Sequence, residues 1–130
     1  VSENRYILLV EDSPSQALRL KRLIQHYTQY PVEIAHTGIE GWNRARALHP
    51  LLVLLDINLP TLDGFQILDR LKRNYATATI PVVMLTSYDR IGDVERAIEL
   101  GADGYLFKED CLFTYSDQLQ NALVDILKDL

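Results

Sequence analysis

The chain has 130 residues, 48% of them apolar and 24% charged, with a formal net charge of −5. That length fits one domain with one sizeable core, and the mixed charges exclude a disordered chain. The acidic balance and the lack of any basic run argue against nucleic-acid binding. No apolar run approaches the ~20 residues that span a bilayer, and no signal peptide is visible, so a cytoplasmic protein without membrane attachment is expected. Cys111 is the only cysteine, which excludes an intramolecular disulfide and fits a reducing compartment. His26, His36 and His49 stand too far apart to form a ligand-spaced pair.

Apolar runs and helical patterns alternate along the chain. Tyr6–Val10 reads as a strand, and residues 14–28 as a helix with Leu20, Leu23, Ile24 and Tyr27 at helical spacing. Val32-Glu33-Ile34 alternates as a half-exposed edge strand does. A second helix carries Ile39, Trp42 and Ala45 toward the core, with Trp42 on its apolar stripe. Leu51–Leu55 is a continuous apolar strand, followed by a helix with Ile67, Leu68 and Leu71. Pro81–Leu85 is the next strand, and Val94, Ala97 and Ile98 mark a fourth helix. Tyr105-Leu106-Phe107 is a short last strand, and Leu119, Ala122, Leu123 and Ile126 give a closing helix. Ser13, Thr37 and Asp63 each stand three residues before Gln16, Glu40 or Gln66, the spacing of a capping box. Asp63 is therefore expected to be a helix cap, with Gly64 and Gly101 as backbone positions. The pattern is five βα units, and continuous apolar strands imply a parallel sheet covered by helices on both faces. Residues 1–130 form a single domain, of which about 5–128 make the fold. Periodicity alone does not select the strand order.

In open α/β sheets, ligands bind beyond the C-terminal ends of the strands. Strand one ends in Glu11-Asp12, strand three in Asp56, strand four in Thr86-Ser87 and strand five in Lys108. Clustered carboxylates suit a hard divalent cation such as Mg²⁺. A lysine and a hydroxyl beside such a cation suit a phosphoryl group, and a carboxylate can itself accept one as an aspartyl-phosphate. Each residue alone also has a structural explanation: a turn aspartate, a β-branched strand end, a snorkelling surface lysine. Their joint placement on one rim points to phosphoryl transfer onto Asp56.

The motifs Leu9-Val10-Glu11-Asp12, Asp56-Ile57-Asn58-Leu59-Pro60 with Asp63-Gly64, Leu85-Thr86-Ser87, and Gly101–Tyr105 leading to Lys108 resemble those of response-regulator receiver domains. The resemblance runs from about residue 5 to residue 128. It implies a flavodoxin-like (βα)5 doubly wound sheet of order 2-1-3-4-5. It also implies a signalling switch, catalysing only its own phosphorylation and slow autodephosphorylation. Asp56 would take a phosphoryl group from a phosphohistidine of a sensor histidine kinase or phosphotransfer protein. By the same resemblance, Mg²⁺ or Mn²⁺ would be held by Asp12, Asp56 and the Asn58 backbone carbonyl, with Glu11 acting through a water. Thr86 and Lys108 would take up the phosphoryl charge. Tyr105 would be the aromatic switch that follows Thr86, altering the helix-four, strand-five and helix-five face read by an output protein, effector domain or second copy.

Members of that family usually place a proline in a cis peptide after the lysine, whereas Glu109 follows Lys108 here. A cis bond before a non-proline residue costs about 3 kcal/mol, so a trans bond and another loop path are expected. Residues 109–116 also look long for a connection to the last helix. The acidic pair is Glu-Asp rather than Asp-Asp. Three other readings compete. An aspartate-nucleophile phosphatase would need a general acid where Asn58 stands. An FMN carrier would need a phosphate-cradling loop where Glu11-Asp12 stands. A degenerate receiver would bind partners without phosphorylation.

Overall fold

The computed structural model describes residues 5–112 and 117–128. Five parallel strands, β1 (Ile7–Val10), β2 (Val32–Ala35), β3 (Leu52–Asp56), β4 (Val82–Thr86) and β5 (Gly104–Phe107), form one sheet. Their order is β2-β1-β3-β4-β5. The register pairs Val10 with Leu55, Asp56 with Leu85, and Thr86 with Phe107. Among the described residues, six α-helices connect and cover the strands: α1 (Pro14–Tyr27), α2 (Gly38–Leu48), α3 (Gly64–Arg73), α4 (Asp93–Glu99), α5 (Lys108–Leu112) and α6 (Gln118–Leu127). The flavodoxin-like order expected above is the observed one.

Strand alternation divides the core into two layers. Leu8, Val10, Val53, Leu55, Val82 and Met84 meet Phe65, Ile67, Leu68, Leu71 and Ala97 from α3 and α4 on one face. Ile7, Leu9, Leu52, Leu54, Val83 and Leu85 meet Ala17, Leu20, Ile24, Leu119 and Leu123 from α1 and α6 on the other. With both faces covered, β1, β3 and β4 are buried along their whole length, and this explains their unbroken apolar runs.

Several details differ from the sequence expectation. Ile39 and Ile98 stay 45% and 54% exposed, turned away from the core that Ala45 and Ala97 enter. Trp42 is only partly buried against the core, and the Arg46 guanidinium lies 5.2 Å from its ring centroid. Ser13 and Thr37 do cap α1 and α2, but only Asp63 and Gln66 form the reciprocal box, with bonds of 3.0 and 2.9 Å. Glu40 instead accepts from the N–H of His36, one residue before the cap, and pairs with Arg44. Gln16 faces the rim of the sheet. The long connection expected over 109–116 begins as a helix, since α5 starts at Lys108 itself; residues 113–116 lie outside the described ones. The described peptide bonds, Lys108–Glu109 included, are trans.

Candidate functional site: an acidic cleft at the strand ends

Asp56 is the last residue of β3 and is 2% exposed. The chain turns sharply after it, because the Gly64 N–H donates to Ile57 O at 2.9 Å and brings α3 against the strand end. A Cβ at Gly64 would lie 2.3 Å from Asp56 O and 2.6 Å from Ile57 Cα, so only glycine admits this approach. The turn aims the Asn58 N–H at Asp56 Oδ1, 3.0 Å away.

Glu11 follows β1 and is fully buried. Asp12 beside it is exposed. Carboxylate oxygens of Glu11, Asp12 and Asp56 all lie within 4.8 Å of one another. Lys108 reaches over from the end of β5, with Nζ 2.9 Å from Asp56 Oδ2, 2.7 Å from Glu11 Oε1 and 3.2 Å from Gln16 Oε1. Lys108 is the first residue of α5 and makes these contacts without a proline after it. Glu109 secures the same turn from its far side, where its carboxylate accepts from the Tyr88 N–H at 3.0 and 3.2 Å.

Burial pushes the Glu11 carboxyl up to about 7; a hydrogen bond shared with Asp56 adds to this, and Lys108 opposes it. Burial pushes the Lys108 ammonium down, but Asp56 and Glu11 outweigh it and leave the group above its ordinary range. A buried charge without a partner is costly; here one ammonium serves two buried carboxylates, and a proton on Glu11, whose carboxyl is raised to about 7, relieves the rest. Three close carboxylates can equally hold a hard cation.

Thr86 ends β4, is 2% exposed, and shares with Asp56, Asn58, Arg90 and Lys108 the lining of a cleft of about 210 Å³. Among the described residues its hydroxyl meets only the Ser87 carbonyl, at 3.5 Å, a marginal distance for an O–H donor. Tyr105 lies away from the cleft, 44% exposed on β5 and edge-on to Phe107 at 5.6 Å between centroids. Phe107, the partner of Thr86 in register, also meets Tyr88 at 5.2 Å. The aromatic contacts from Tyr105 to Tyr88 thus run past Thr86.

The strand ends therefore bring together Glu11, Asp12, Asp56, Thr86 and Lys108, with Asn58 beside them. Sequence reasoning missed Gln16, Arg90 and the Glu109 bracket. Gln16 has the spacing of a capping-box residue. Arg90 belongs to no motif, though its closeness to Thr86 in the chain was a usable signal.

A doubly wound parallel sheet with an acidic cleft at its carboxyl edge defines the class. The chain belongs to the response regulator receiver domain family, whose match covers residues 7–113, and so to two-component signalling proteins. It is 40% identical over 102 residues to the DNA-binding dual master transcriptional regulator RpaA of Synechocystis, covering 78% of this chain and 42% of RpaA. The chain spans less than half the length of the curated relatives it matches. Among solved structures, a putative response regulator from Chloroflexus aurantiacus superimposes with a TM-score of 0.84 at 26% identity, over 95% of this chain and 98% of that one. The Mn(2+)-bound form of response regulator Rcp1 gives 0.82 at 29%, over 97% and 96%. Among the described residues, no helix is long and apolar enough to cross a membrane.

Proposed function

We propose that Asp56 accepts a phosphoryl group and that the domain is a phosphorylation-controlled switch acting in the cytoplasm. The observation that carries this is the Lys108 ammonium, 2.9 Å from a buried aspartate whose other oxygen already takes the Asn58 N–H. An oxygen of Asp56 attacks phosphorus. The bond from phosphorus to the donor breaks, and its electron pair leaves with the donor: an imidazole nitrogen, which then takes a proton, or an acyl oxygen. The donor is a phosphohistidine of a sensor histidine kinase or phosphotransfer protein.

The donor set fits Mg²⁺ or Mn²⁺, being all oxygen and largely carboxylate. Asp12, Asp56 and the Asn58 carbonyl would hold the ion, with Glu11 acting through a water. The ion would supply charge that stabilises the phosphoryl oxygens. Lys108 is the chain's own counterpart on the other side. When the phosphoryl group arrives, Lys108 exchanges Glu11 for a phosphoryl oxygen. The Thr86 hydroxyl, weakly held by Ser87, turns to the same group. Phe107 and Tyr105 then repack, and a partner that prefers this packing of the α4, β5 and α6 face reads the state. Curated relatives named as transcriptional regulators support an output effector as that partner, and phosphorylation-dependent pairing with a second copy is open to the same face.

Incubation with a small acyl phosphate and Mg²⁺ should add one phosphoryl group to the wild-type chain and none to Asp56→Asn. Normal labelling of that variant would sink the assignment.

A further inference from the structure

Arg90 lies outside every motif that points to Asp56, yet it lines the same cleft. Its Nη1 donates to Asn58 Oδ1 at 3.2 Å, and its Nε pairs with Asp93 Oδ2 at 2.5 Å. Asn58 in turn gives its backbone N–H to Asp56. The guanidinium is thus one residue removed from the acceptor, and its side chain keeps 37% exposure where that of Lys108 keeps 15%. The two cations of the cleft are used differently. Lys108 is committed inward, to Asp56, Glu11 and Gln16. Arg90 stands at the mouth, and of its five N–H donors two are engaged with described residues. A planar fork with donors to spare matches phosphoryl oxygens. A phosphodonor enters this cleft as a dianion facing buried carboxylates, and Arg90 is the group placed to offset that repulsion before Lys108 is reached.

We propose that Arg90 is a donor-recognition residue. It binds oxygens of the incoming phosphoryl group at the cleft mouth and directs phosphorus toward Asp56. This rests on the acceptor role of Asp56 proposed above. The ligand chemistry is the phosphoryl group itself, whichever leaving group it carries.

The test is the initial rate of phosphorylation against donor concentration at saturating Mg²⁺, read by intact mass, with acetyl phosphate and phosphoramidate as probes. Arg90→Ala should lower the initial slope about fivefold with both donors, the loss of a partly exposed charge-assisted hydrogen bond. Arg90→Lys should recover part of it. The deficit should shrink as salt rises, and autodephosphorylation of the preformed phosphoprotein should stay within about twofold of wild type. Asp93→Ala removes the ion pair but keeps the guanidinium, so its slope should stay level or rise. A wild-type slope in Arg90→Ala would overturn the proposal and leave the acceptor reading intact. So would a deficit with acetyl phosphate alone, an equal deficit in autodephosphorylation, or an equal loss in Asp93→Ala. Failure of the wild-type chain to label at Asp56 would overturn both.

Discussion

Glu11 offers a direct check on the electrostatics of the cleft through Glu11→Gln. The native carboxyl is fully buried, and its proton is retained to about pH 7 against an ordinary 4.5. A carboxyl raised on folding makes the folded chain take up a proton between those values. The stability that comes from the neutral form is complete below pH 4.5 and is lost as pH rises toward 7. At about 1.4 kcal/mol per pH unit, that window is worth about 3 kcal/mol. Glutamine keeps the shape and the acceptor for Lys108 but does not titrate. In chelator, the wild type should therefore lose about 3 kcal/mol relative to Glu11→Gln between pH 4.5 and pH 7.5. Urea denaturation of both proteins across that range gives the difference directly, and titrating groups outside the cleft cancel in it. A difference that is flat with pH, or one that favours the wild type at higher pH, would refute the raised Glu11 carboxyl.

The same proton must leave before a divalent cation binds, so calorimetric Mg²⁺ affinity should be about tenfold weaker at pH 6 than at pH 8; equal affinities would contradict it. Gly64→Ala places a methyl group 2.3 Å from Asp56 O. It should cost about 2 kcal/mol from overpacking even after the helix-propensity gain, seen as a lower urea midpoint, and a higher midpoint would show that the turn relaxes freely. Glu109→Ala leaves the Tyr88 N–H without its carboxylate acceptor. Its amide exchange should speed up about tenfold for the loss of about 1.4 kcal/mol, and unchanged protection would mean that the bracket holds nothing.

The sheet and most of the site were legible because each depended on short stretches of chain. Buried strands such as Leu51–Leu55 declare themselves by unbroken apolar runs. The rule that strand ends make the site then selects Glu11, Asp12, Asp56, Thr86 and Lys108 without knowledge of the packing. What escaped depends on contacts between distant segments. Gln16 has the spacing of a capping residue, and nothing local shows that Lys108, 92 positions later, takes its amide. Ile98 is spaced as a core residue, but α4 is only seven residues long and buries Ala97 instead. With Glu109 in place of the usual proline, the chain after Lys108 needs another path. The structure meets that need by starting a helix at Lys108 and fixing Glu109 onto Tyr88. Neither feature has a pattern in the sequence.

The central claim is that Asp56 is the atom-level acceptor, and trapping its product tests it most directly. After phosphorylation with an acyl phosphate and Mg²⁺, borohydride should reduce the aspartyl-phosphate to homoserine, and peptide sequencing by mass spectrometry should find homoserine at position 56 alone. Homoserine at Asp12, or a phosphoryl group stable to borohydride on Thr86 or Ser87, would contradict the account.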